Sequence, residues 1–147
     1  MKAKTLLFAL CIALLLTNCG NAVGPSTQTP TVLHVTRPAV DNFPSLDTTI
    51  RDAKAVQHLY AAAYALAIPT GGGTVNCPSD NGMTYYLDFL KGTTSIQKMS
   101  LDATGCQYLQ LSPSDSRYAD TAFQSLFEKT VGIPSLVPEV SLILHNA

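Results

Sequence analysis

Two periods of apolar residues divide this 147-residue chain. Ile50, Ala53, Val56, Leu59, Tyr60, Ala63, Leu66 and Ala67 recur three or four residues apart. That spacing predicts one buried stripe on a helix running from about Asp47 or Thr49 to Ile68. Thr49 with Asp52 forms a loose capping box, Pro69 blocks continuation, and Gly71-Gly72-Gly73 supplies a flexible exit. From Thr74 to Leu111 the period falls to two. Tyr85, Leu87 and Phe89 take one face of a strand, while Thr84, Tyr86 and Asp88 take the other. Lys91-Gly92-Thr93 turns, Ser95–Leu101 returns with Met99 and Leu101 inward, and Asp102–Gly105 turns again into Cys106–Leu111. A second helix is expected from Ser114–Ser116 to about Val131. Ala119, Ala122, Phe123, Leu126, Phe127 and Thr130 outline its buried side, and Gly132 stands at a left-handed end before Pro134. Thr31–Asp41 is β-branched but interrupted by Pro38, so at most it makes a short edge strand. Val140–Leu144 is a short apolar run that fits either an edge strand or a frayed end. The expected fold class is α+β: helix, antiparallel β-meander of three to four strands, helix, with both helices on one sheet face.

The amino terminus follows a different rule. Lys2 and Lys4 precede an unbroken apolar run, Leu6–Leu16, that stops at Thr17-Asn18-Cys19-Gly20. A charged start, a short apolar middle and a small or polar stop form the layout of a secretory signal. The run is too short for a bilayer span, which takes roughly 17–25 residues. The segmentation that follows is a signal peptide over 1–18, a tether with an edge strand at most over 19–45, and a single α+β domain over 46–147. Asn21–Pro30 carries no charge, two prolines and little apolar surface, the composition of an extended tether.

Leu16-Thr17-Asn18-Cys19 resembles the lipobox of bacterial lipoproteins, a Leu-x-small-Cys motif cut just before the cysteine. Leu16, Thr17 and Cys19 match, and Asn18 departs from the usual Gly, Ala or Ser. The resemblance implies lipidation at Cys19 and a membrane attachment through acyl chains, each buried CH₂ contributing roughly 0.8 kcal/mol. The alternative is ordinary cleavage after Ala22, which discards Cys19 and releases a secreted protein starting at Val23. The downstream pattern of a Gly-rich lead-in, Asn76-Cys77-Pro78, a Tyr-rich strand and Ala103-Thr104-Gly105-Cys106 resembles small exported bacterial proteins, a likeness that implies no activity.

Composition narrows the partners. Without Lys2 and Lys4, seven basic residues face ten acidic ones, a charge of −3. That balance excludes nucleic acid, which needs a basic patch, and docking on anionic head groups. Cys11 and Cys19 belong to targeting, which leaves Cys77 and Cys106 as the pair in the folded part. In an oxidising compartment such a pair is a disulfide, and closing its loop contributes roughly 3–4 kcal/mol in the chain-entropy model. Four strands in plain sequence order would hold these cysteines three spacings apart, roughly 14 Å. Bridged Cα atoms lie about 4.4–6.8 Å apart. Either the sheet curls, or Cys77–Gly82 is a loop across the sheet end, and Pro78 with Asn81-Gly82 favours the loop.

Candidate chemistry is sparse. Ser95-x-x-Lys98, Ser79-Asp80-Asn81 and Lys91-Gly92-Thr93 resemble fragments of serine β-lactamase motifs. Their order is wrong, and Ser95–Lys98 falls in a strand where the nucleophile needs a helix start. Gly71–Gly73 lacks the Gly-Lys-Ser/Thr of a phosphate loop. His34, His58 and His145 are scattered without zinc spacing, and His58 reads as a helix-surface residue. No catalytic residue, metal site or cofactor is assigned. The remaining candidates form a binding surface: Tyr86 and Tyr108 as an aromatic platform, with Asp80 and Asn81 on the pinned loop. The expectation is an exported, lipid-anchored cell-envelope protein with a non-enzymatic binding role, its partners the membrane through lipid and an extracellular protein or glycan. The alternative is a secreted inhibitor-like module presenting the loop Cys77–Gly82.

Overall fold

The computed structural model describes residues 27–41, 43–69, 77 and 81–136. Six strands form one antiparallel sheet: β1 (Val32–Arg37), β2 (Leu46–Ile50), β3 (Thr84–Lys91), β4 (Thr94–Asp102), β5 (Tyr108–Ser112) and β6 (Asp115–Tyr118). Their spatial order is β2-β1-β3-β4-β5-β6. Two helices, α1 (Ala53–Ala65) and α2 (Thr121–Val131), complete the α+β fold. The sheet exceeds the three to four strands expected, and the differences have local causes.

Leu46–Ile50 is a strand and not the first turns of the helix. Leu46, Thr48 and Ile50 alternate toward the helices, and Asp52 then caps α1 by accepting from the amides of Lys54 and Ala55. Asp115–Tyr118 is likewise a strand, and α2 begins six residues later than Asp115, with Asp120 accepting from Phe123 N at 2.8 Å. Its inward residue is Arg117, so the apolar alternation that marks a strand is missing. The tether region holds another difference: β1 is interior, paired with both β2 and β3, because the strand ends at Arg37 and Pro38 falls outside the ladder. Gly132 does end α2 in the left-handed region, at φ 78°, its amide donating to Glu128 O. Cys77 and Cys106 form the disulfide, their Cα atoms 4.8 Å apart. Cys77 is in no strand and meets Cys106 in the β4–β5 connection. Val140–Leu144 lies outside the described residues.

Both helices cover one sheet face. Leu33, Val35, Tyr85, Leu87, Phe89, Met99, Leu101, Leu109 and Leu111 form a core with Val56, Leu59, Ala63, Phe123 and Phe127. Tyr60 and Phe89 meet edge to face at 5.0 Å, as do Tyr85 and Phe127 at 5.3 Å. Polar groups close the rim. Arg117 holds Asp115 and donates to Leu66 O at 3.0 Å, fixing the end of α1 to β6. Tyr64 donates to Gln97, which in turn donates to Leu111 O. At the other end the buried Arg37 donates to Tyr85 Oη at 2.9 Å and to Pro44 O at 2.6 Å, and Tyr85 donates to Leu136 O.

Candidate functional site

Antiparallel registry assigns the other face of the sheet. Asp88 lies opposite both His34 and Lys98, Tyr86 opposite Thr36 and Ser100, and Ser100 opposite Gln110. Alternation turns these residues away from the helices, since their neighbours Val35, Tyr85, Leu87, Met99 and Leu109 are buried in the core. No described element covers this side. At its middle Tyr86 keeps 52% of its surface exposed.

Two shallow hollows flank Tyr86. One, about 320 Å³, is lined by His34, Thr36, Tyr86, Leu87, Asp88, Lys98 and Met99. The other, about 300 Å³, is lined by Tyr86, Lys98, Met99, Ser100, Gln110, Leu111, Ser112 and Pro113. Tyr86, Lys98 and Met99 stand in the wall shared by both. The charges of this face are engaged within it. His34 Nε2 lies 2.8 Å from Asp47, Lys98 Nζ lies 3.9 Å from Asp88, and Thr84 donates to Asp102 at 3.1 Å. Ser95 also donates to Asp88, so the serine and lysine singled out from sequence share one carboxylate within or beside a strand. The arrangement offers donors, acceptors and an aromatic surface without a nucleophile placed against a base and an orienting group.

The four expected surface residues separate. Tyr86 and Tyr108 are both on the open face, yet two strands and two residues apart, roughly 12 Å from strand spacing and rise. Tyr108 packs instead against Tyr118, ring centres 6.3 Å apart. Asn81 sits at the sheet end, accepting from Met83 N and from Thr104 Oγ1. Asp80 lies outside the described residues. His34, Thr36, Lys98, Ser100, Gln110 and Tyr118 were not singled out for this surface by the sequence. Alternation alone could have flagged Lys98 and Ser100 beside Met99, whereas the others required the register.

A second depression runs between the helices. Small side chains, Ala62 and Ala65 on α1 and Ala122 on α2, leave a groove of about 360 Å³ bordered by Leu66, Phe123, Leu126, His58 and Asp120. It is a packing gap with few groups to orient a polar ligand, and His58 is exposed at its rim as expected. Among the described residues no three His, Cys, Asp or Glu side chains gather to hold a metal. No family model, curated protein or solved structure matches the chain.

Proposed function

We propose that the protein is an exported, lipid-anchored binding protein of the cell envelope that holds its ligand on the open face of the sheet without chemical turnover. The half-exposed Tyr86 between two hollows carries this reading. What supports the reading is the combination: an aromatic ring set among hydroxyl, amide and charged side chains on a face that no described element covers. The amino-terminal pattern supports anchoring: the apolar run ends at Cys19, and an uncharged, proline-containing stretch separates it from β1. Mass spectrometry of protein recovered from its native membrane tests the anchor. A diacylated peptide beginning at Cys19 is expected, and a free Val23 start would replace anchoring by secretion. A photoreactive phenylalanine analogue at position 86 tests the face, since it should form an adduct in intact cells and the same analogue at exposed Ser125 on α2 should not.

A second reading rests on a separate observation. The disulfide to Cys106 and the hydrogen bond from Thr104 to Asn81 tie both Cys77 and Asn81 to the β4–β5 connection. Loops presented to proteases by inhibitors need such fixed ends. Slow, tight inhibition of an extracellular protease, lost on Asn81→Ala, would favour this reading over the open face.

A further inference from the structure

We infer that the open face receives an uncharged glycan strand of at least two sugar units, laid across β1, β3, β4 and β5 with one ring stacked on Tyr86. This inference rests on the binding reading above and specifies its ligand. Four features point to that chemistry.

A sugar ring has an apolar C–H face and a rim of hydroxyls, and an exposed tyrosine beside polar side chains matches both. Thr36, Ser100, Gln110 and Ser112 can each donate and accept, which suits hydroxyls that do the same. Charges of both signs are interspersed here, with Asp47 beside His34 and Asp88 beside Lys98, so the face presents no single-sign field to attract an ionic ligand. The first hollow runs over β1, β3 and β4 and the second over β3, β4 and β5. Together they span three strand spacings, roughly 14 Å, the reach of a short chain and not of a single ring. A protein partner fits less well, because interfaces between proteins are built on a clustered apolar core. The exposed large apolar side chains on this face are Tyr86 and Tyr118, which belong to different strands separated by β4 and β5.

The test titrates the full exported chain, held in detergent, with neutral cello-, chito-, xylo- and malto-oligosaccharides of one to six units, followed by calorimetry. Polygalacturonate and polylysine serve as charged probes. At least one neutral series should bind, with affinity rising tenfold or more from one unit to two. Tyr86→Ala should weaken that binding at least tenfold, while Tyr86→Phe, which keeps the ring, should stay within about threefold. Gln110→Ala should reduce the gain from the second unit and leave single-unit binding unchanged. Thermal melts of each variant separate lost binding from lost folding. The inference fails if no neutral series binds, if binding survives Tyr86→Ala, or if polylysine or polygalacturonate binds in place of the neutral sugars. The position-86 crosslink then separates the two levels. A protein adduct with no sugar binding overturns the glycan and leaves the binding face standing, and neither adduct nor sugar overturns both.

Discussion

The two faces of one sheet, built from the same strands, differ sharply in burial and composition. Under the helices, Leu33, Val35, Leu87, Phe89, Leu101 and Leu109 are almost completely buried. One residue along each strand, His34, Thr36, Tyr86, Asp88, Ser100 and Gln110 face outward. The covered side draws its energy from apolar area removed from water, at roughly 25 cal/mol per Å². The open side contributes little by that route, since its ion pairs are exposed and such pairs are worth about 0–1 kcal/mol. Stability and the proposed recognition should therefore be separable at single-residue resolution, with substitutions one position apart behaving as if made in different proteins.

The largest effect is expected at the centre of the covered face. Phe89 is fully buried and meets Tyr60 edge to face. Phe89→Ala should cost about 3–5 kcal/mol, through lost transfer energy and the cavity left behind. Urea unfolding should show a lower midpoint with an unchanged slope. A cost below about 1 kcal/mol would mean that the two faces are not energetically distinct.

The disulfide belongs to neither face, which makes it a control for the contrast. Replacing Cys77 and Cys106 together by Ala should destabilise by about 3–4 kcal/mol in the chain-entropy model, for the 29-residue separation they close. Ligand affinity on the open face, measured well below the melting temperature, should stay the same. Loss of affinity alongside stability would show that the pinned end of the sheet takes part in recognition.

Much of this division was legible in the sequence because it needs only local alternation. Thr84–Phe89 announced its two faces, the lone cysteine pair announced its bridge, and Gly132 before Pro134 announced the end of α2. What was not legible depended on partners distant in the chain. Leu46–Ile50 abuts a strong helical stripe, and nothing local says that Asp52 starts the helix in place of Thr49. In β6 the inward position is Arg117, whose burial is supported by Asp115 and Leu66 O, so the strand lacks an apolar signature. The proposed binding face is a cross-strand object. Tyr86 could be picked out alone, but His34 from β1 and Gln110 from β5 join it only through registers that alternation leaves open.

The half-buried pair of Arg117 with Asp115 gives a smaller and pH-dependent effect. Hydrogen bonding from Arg117 is the main cause that holds the Asp115 carboxyl below the usual carboxylate range, against the opposing effect of burial. Its folded value is thus depressed below an unfolded value of about 3.9. The stability it contributes is complete above that unfolded value and disappears as the pH falls through the lower folded value. Asp115→Asn should cost about 1–2 kcal/mol at neutral pH. It should also flatten the dependence of stability on pH below about 4, as read from urea midpoints across an acid series. A variant as acid-sensitive as the parent would assign that slope to other carboxylates.

The smallest expected change in stability falls on the residue with the largest expected change in binding. Tyr86 is flanked in sequence by the buried Tyr85 and Leu87, yet it faces the open side and keeps about half its surface exposed. Tyr86→Ala removes cross-strand contacts with Thr36 and Ser100, a loss of about 0.2–1 kcal/mol. The melting curve should therefore move little while affinity falls at least tenfold. Had the ring been kept for packing, the order would reverse: a cost of several kcal/mol and no change in any binding signal. Measuring both quantities on this one variant decides whether the exposed tyrosine serves the fold or the ligand.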